Sequence, residues 1–216
     1  MLDQFFSSNV KWCALAIIVI FFFYIFIQLT ARSPRDENLG SEVHVSEVMK
    51  NANNGDLLLF SGTTLGERTC RWFTGSGFSH IGMLFWEDST LYITESDVGQ
   101  GSKNGPRVMK LEDKLKRCQK NTESEVLWLR CRYTIDTSSI LQALPKYMDQ
   151  DFDSYMLSWF YSPLKVKGKM FCSEYITSLL SDLGILDRSE VAVYTSPESY
   201  LSRYSSKYYP PLHFLT

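Results

Sequence analysis

Between Trp12 and Leu29 the chain reads WCALAIIVIFFFYIFIQL, a run with no formal charge and one amide, Gln28, near its end. No other feature constrains the fold so sharply, because a run of this kind must be shielded from water. As a helix rising 1.5 Å per residue, roughly 18 to 20 residues cross a ~30 Å hydrocarbon layer. Trp12 and Tyr24 are amphipathic aromatics, with Lys11 on one side and Arg32 and Arg35 on the other, as at membrane boundaries. A cleaved signal peptide has a shorter apolar region of about 7 to 15 residues before a small-x-small site. Here QLTARS offers only Ala31. The reading is one uncleaved transmembrane helix over residues 12–30, between a tail at 1–11 and a linker at 31–52, with the membrane as partner and location. Only Lys11 precedes the span, whereas Arg32, Arg35 and Lys50 follow it, which favours a cytoplasmic C-terminal domain. The lack of any Asn-x-Ser/Thr sequon and the odd count of five cysteines agree with that side.

Residues 53–216 have the character of one folded domain. Across the whole chain 44% of residues are hydrophobic and 21% charged, an ordinary globular balance. The net charge of −2 provides no basic surplus for phosphate contacts, so nucleic acid is not an expected partner. GDLLLF, from Gly55, is a short apolar run bounded by turn residues, as in a buried strand. FSHIGMLFW and LYITES are two strands around EDST, a hairpin. The glycine-rich stretch 97–107 is a plausible cleft rim, LEDKLKRC one or two helical turns, and EVLWLRCRY an alternating strand. In the helix after MFCSEYI, Ile176, Leu179, Leu180 and Leu183 recur at i, i+3, i+4 and i+7, and Gly184 stands where a C-terminal cap belongs. Strands gather between 55 and 132 with helices mostly outside, an α+β arrangement. The aromatic tail is a strap over the domain, and Tyr194 and Tyr200 are candidates to line a substrate.

Cys172 sits where that helix begins. A buried cysteine packs as a small apolar residue. At a helix N-terminus, however, the amides and the dipole favour a thiolate, which is the nucleophilic form. Lys165, Lys167 and Lys169 would add to that effect. His80, at the start of a strand, is the one histidine placed among apolar and small neighbours. A two-residue loop at Glu87-Asp88 sets His80 opposite Glu95. A four-residue loop from Glu87 to Thr90 sets it opposite Asp97, with Glu95 diagonal on the same face. In either register a carboxylate can fix the tautomer and favour the imidazolium. Cys172, His80 and Glu95 would then be an activated nucleophile, its base and an orienting group. Glu174 is a first-turn acid favoured by the dipole. Cys70, Cys118 and Cys131 lack metal-ligand spacing, and the glycines make no nucleotide fingerprint, so neither a metal nor a cofactor is expected.

GDLLLF, FSHIGMLFW, LYITES and MFCSEYITSLL, in that order, resemble the circularly permuted papain-like fold of the NlpC superfamily over roughly residues 53–185. The resemblance is to its YiiX-like branch and poxviral relatives. It implies a central antiparallel sheet, with Cys172 as nucleophile, His80 as base and Glu95 as third polar residue. It also implies a cysteine hydrolase, a thiol protease or amidase, acting through an acyl-cysteine on a peptide, amide or lipid-ester substrate; the apolar run would anchor that enzyme to the membrane. The Asn-Cys-Glu-His signature of the retinol acyltransferase branch is absent. A lipid acyltransferase or thioesterase, and a catalytically silent interaction domain, are the alternatives.

Overall fold

The two strand-like runs GDLLLF and EVLWLRCRY become neighbours at the centre of a seven-stranded sheet, and both are buried on both faces. The computed structural model describes residues 2–30, 41–98, 104–119, 125–153, 168–189 and 195–215. In chain order the sheet strands are β1 (Ser41–His44), β2 (Leu57–Ser61), β3 (His80–Glu87), β4 (Thr90–Asp97), β5 (Gly105–Lys110), β6 (Glu125–Leu129) and β9 (Leu212–Leu215). Their order across the sheet is β1-β9-β6-β2-β3-β4-β5. A separate two-stranded pair, β7 (Asp151–Phe152) and β8 (Lys169–Met170), is parallel.

The central antiparallel sheet that the family resemblance implies needs correction. The central ladders are antiparallel, but β1 pairs with β9 in parallel, so the sheet is mixed at one edge. The cause is connectivity: β1 comes from the polar stretch before Gly55, and it pairs with the last strand of the chain instead of turning back on a sequence neighbour.

Period-two alternation divides the sheet's side chains between two cores. On one face Leu57, Leu59, Ile81, Met83, Leu127 and Leu129 pack with Ile176, Leu179 and Leu180 of α6 (Cys172–Asp182), and with Ile140 of α5 (Thr137–Ala143). On the other face Leu58, Phe60, Leu84, Ile93, Val126 and Trp128 pack with Val48 of α2 (Val45–Asn51), and with Leu111 and Leu115 of α4 (Leu111–Gln119). Helices cover both sides, and so β2 and β6 read as continuous apolar runs with no polar alternation. Residues 41–51 are thus β1 and α2, packed into the domain. The first ten residues of the expected linker, 31–40, lie outside the described residues.

Asp56, at the entry to β2, is a fully buried carboxylate that the sequence does not single out. It accepts hydrogen bonds from the backbone N–H groups of Asn53 and Cys131 and from the indole N–H of Trp128. Burial raises its pKa in spite of those three donors.

The transmembrane helix expected over residues 12–30 is not supported. Among the described residues no helix is long and apolar enough to cross a membrane. The single-pass membrane location and the cytoplasmic orientation built on it fall together. The run does form part of a helix, α1 (Leu2–Thr30), which the protein uses in its own packing near the C-terminal end. Phe23 and Phe26 meet Trp72 of α3 (Leu65–Thr74) edge-to-face at 5.8 and 5.9 Å between ring centroids, and Ile27 is only 2% exposed. Other large side chains between Trp12 and Phe26 are exposed.

Candidate active site

The β3–β4 hairpin sets the site. Its turn is Asp88-Ser89, both residues at positive φ, as a two-residue hairpin turn of the primed type requires. The ladder pairs Glu87 with Thr90, Trp86 with Leu91 and Gly82 with Glu95. This is the register of the four-residue alternative, closed one pair tighter, and continuing the count places His80 across from Asp97. His80 nevertheless bonds diagonally to Glu95, with Nε2 and Oε2 2.7 Å apart. The diagonal reach works because the residue opposite Glu95 is Gly82. A Cβ there would lie 2.6 Å from Ile93 Cδ1, so the Ile93 side chain would have to shift to admit a side chain at 82.

Glu95 is fully buried and accepts from three cationic groups. Arg107 of β5, its ladder partner, donates Nη2 at 2.6 Å and Nε at 3.0 Å to Oε1. Lys114 of α4 places Nζ 2.6 Å from Oε2, the oxygen that also meets His80. Asp97 completes the cluster, 2.7 Å from Arg107 Nη2 and 3.7 Å from Lys114 Nζ. Lys114 also stands over the Phe60 ring, which contacts the His80 ring from the other side of the cluster.

The electrostatics follow from this packing. Burial opposes ionisation of Glu95, but His80, Lys114 and Arg107 outweigh it and hold the carboxyl well below the usual range. Burial and Lys114 both disfavour the His80 imidazolium. The carboxylates of Glu95 and Asp97, with a hydrogen bond to the Cys172 side chain, more than offset them and raise its pKa to about 10. The Lys114 pKa is likewise raised: burial lowers it, and the Glu95 and Asp97 charges prevail.

Cys172 arrives from the opposite side of the sheet. It is the first residue of α6, is 8% exposed, and belongs to the core that packs against Met83 and Leu59. His80, 12% exposed, and Glu95 belong to the α4 side. The two sides meet where β3 begins: the Cys172 thiol lies 3.9 Å from the Ser79 carbonyl oxygen, one residue before His80. Glu95 occupies Nε2 of the His80 ring. The residue before the helix, Phe171, gives it no side-chain cap.

Of the three residues singled out from the sequence, His80 and Glu95 are hydrogen-bonded, and Cys172 lies beside the Ser79 carbonyl, one residue before His80. Sequence reasoning did not find Arg107 or Lys114. Arg107 lies in the stretch read as a glycine-rich loop, whose residues 105–107 open β5, while 99–103 lie outside the described residues. Lys114 lies in a helix read as one or two turns, where alternation with Leu111 and Leu115 gives no hint of an inward-facing lysine. Of the lysines expected near Cys172, Lys165 and Lys167 lie outside the described residues, as does Tyr194. Tyr200 is buried and shares a hydrogen bond with Thr177.

His80, Glu95 and Asp97 place one potential ligand atom each within 4.8 Å of one another. Their chemistry does not fit a metal ion. An ammonium and a guanidinium already sit on the carboxylate oxygens that would bind it, and a divalent cation would add to a positively charged group of neighbours.

No family model matches the chain, and no curated protein matches it. Among solved structures it is similar to the metalloprotein yiiX from Escherichia coli O157:H7, at 16% identity and a TM-score of 0.47. The match covers 61% of this chain and 66% of that one, just under two thirds of its length. The papain-like assignment receives no support from this likeness.

Proposed function

We propose that the chain is a cysteine hydrolase of the peptidase or amidase type, on a permuted papain-like scaffold, acting through an acyl-cysteine. One observation carries this reading: the His80 imidazole is bonded to the buried Glu95 carboxylate, and the Cys172 thiol at the start of α6 lies 3.9 Å from the carbonyl oxygen of Ser79, the residue before His80. Burial alone would strip an imidazole of its proton. Retaining that proton beside a sulfur is the arrangement that favours a thiolate–imidazolium pair.

In this reading the thiol proton rests on His80 and the Cys172 thiolate attacks the substrate carbonyl. Amides of the uncapped first turn of α6 stabilise the oxyanion. His80 then protonates the leaving amine or alcohol, which departs as the carbon–sulfur bond is retained. Now neutral, His80 takes a proton from water, whose oxygen attacks the thioester, and the acid product leaves as the thiol is regenerated. Glu95 holds the ring by Nε2 throughout and offsets its positive charge. The cations around Glu95 keep that carboxylate ionised in a site where burial would otherwise protonate it.

The test is incubation of the reduced full-length chain with panels of peptide, ubiquitin-like and lipid-ester substrates, with intact and peptide-level mass spectrometry of the enzyme. An acyl adduct on Cys172 that is absent in Cys172→Ala and turns over slowly in His80→Ala is the expected outcome. No adduct and no product with any panel would overturn the reading.

A further inference from the structure

Beside the Cys172 thiol lies a small cleft of about 40 Å³ for a water-sized probe, partly open to solvent. Its walls come from separate parts of the chain: Phe73 and Thr74 of α3, Phe171 and Cys172 at the start of α6, and Pro197 in the 3₁₀ turn Pro197–Tyr200. Among the described residues, none of those lining it is an acid, a lysine, an arginine or a histidine. The second thiol in the wall, Cys70, is pushed up to about 12 by burial and then by the Cys172 and Glu67 charges, so it stays neutral.

The walls are fixed by hydrogen bonds that do not involve a ligand. The Gly77 N–H donates to Glu198 Oε2 at 3.0 Å, and the Ser173 hydroxyl donates to the Thr195 carbonyl, holding the Pro197 segment against both α3's end and α6. Cys70 and Cys172 both approach the Ser79 carbonyl oxygen, at 3.8 and 3.9 Å, so α3 and α6 converge on one backbone atom.

We propose that this cleft receives the acyl part of the substrate and selects a short, uncharged, apolar acyl group; the proposal rests on the cysteine-hydrolase reading above. Once the acyl group is joined to Cys172 as a thioester, its first carbons lie at the cleft mouth and the remainder between Phe73, Phe171 and Pro197. A charged terminus there would lose its water and meet no opposite charge among the described lining residues, whose polar side chains are the hydroxyls of Thr74, Ser79, Ser173 and Ser196. Each buried methylene favours binding by about fourfold on the usual transfer scale, until the cleft is full.

The experiment uses the reduced full-length chain and p-nitrophenyl esters from acetate through butyrate, hexanoate and octanoate to dodecanoate, with the hemisuccinate as charged control. A parallel arm uses peptide p-nitroanilides carrying Ala, Leu, Phe or Glu at the acyl position. Release of nitrophenolate or nitroaniline gives kcat/KM, and intact mass gives acylation of Cys172. Expected are a rise of about fourfold per methylene to an optimum at butyrate or hexanoate, a fall beyond it, and rejection of hemisuccinate and Glu. Phe73→Ala should move the optimum to longer chains, and Thr74→Leu, on the opposite principle, to shorter ones, so that one variant suffices if the other fails to fold. The faster arm identifies the source of the acyl group as an alkanoate or a peptide. Acylation of Cys172 with a flat chain-length profile, a preference for hemisuccinate or Glu, or no shift in a folded variant would overturn the proposal and leave the hydrolase reading standing. Failure of every compound to acylate Cys172 would overturn both.

Discussion

Replacing Glu95 by Gln keeps the shape of the side chain and removes the charge that three cations share. In the wild type Oε1 faces Arg107 and Oε2 faces both His80 and Lys114. An amide has one acceptor oxygen. Whichever way it turns, its NH₂ group points at a guanidinium, or at an ammonium and an imidazolium. Breaking a buried charge pair by removing one partner costs about 3–5 kcal/mol, because the remaining charge is left uncompensated. Two features reduce the loss: Asp97 still meets Arg107 at 2.7 Å, and His80 can release its proton. We therefore expect the variant to be destabilised by about 3 kcal/mol near neutral pH, a large fraction of the ~5–15 kcal/mol that stabilises a typical domain. Urea unfolding followed by tryptophan fluorescence, extrapolated to water, reads this directly. The double variant Glu95→Gln/Lys114→Met should regain part of the loss, with a coupling of about 1–3 kcal/mol, because it removes a cation along with the anion. A loss below about 1 kcal/mol, with no coupling to Lys114, would refute the view that Glu95 is the electrostatic centre of the site.

The same pair sets a pH window. Glu95 titrates below its free value of 4.5 in the folded chain, so its contribution is present above that value and lost as pH falls through the lowered pKa. His80 is raised from 6.5 to about 10, so its contribution is complete below 6.5 and lost as pH rises toward 10. The interaction is shared and counts once; urea midpoints across pH should peak between about 4.5 and 6.5, and a maximum above pH 8 would contradict the assignment. Brief iodoacetamide labelling with peptide mass spectrometry should modify Cys172 ahead of Cys70 at pH 7, with His80→Ala slowing Cys172 by about tenfold or more. Equal labelling, or indifference to His80, would count against a paired thiol. Asp56→Ala should destabilise by about 2–4 kcal/mol with Cys172 labelling unchanged, because it strands the buried Trp128 indole N–H and the Cys131 amide. Unfolding midpoints within error of wild type would show that water replaces those bonds.

Much of the site was legible because its parts obey local rules. The helix after Phe171 follows from the 3.6 period of Ile176, Leu179 and Leu180, and it ends in an αL glycine, Gly184, whose φ of 73° suits only a residue without a Cβ penalty. His80 and a facing carboxylate follow from period-two alternation through a hairpin. The alternation could not choose between Glu95 and Asp97, because the turn sequence EDST closes acceptably in more than one way. The choice falls to Asp88 and Ser89 adopting positive φ and to the space left by Gly82.

What the sequence determined by itself was therefore each element and the chemistry it could carry: a cysteine opening a helix, a histidine opening a strand, an acid near it, and an apolar run that needed cover. Only the tertiary structure decided how they combine. It placed the N-terminal run against Trp72, paired β1 with β9 in parallel, and brought Arg107 and Lys114 onto the carboxylate beside His80. Periodicity reports which face of an element turns inward, and that is a property of neighbours three or four residues apart. Which other element that face meets depends on how two buried faces of one sheet pack against distant helices, and no spacing along the chain encodes it.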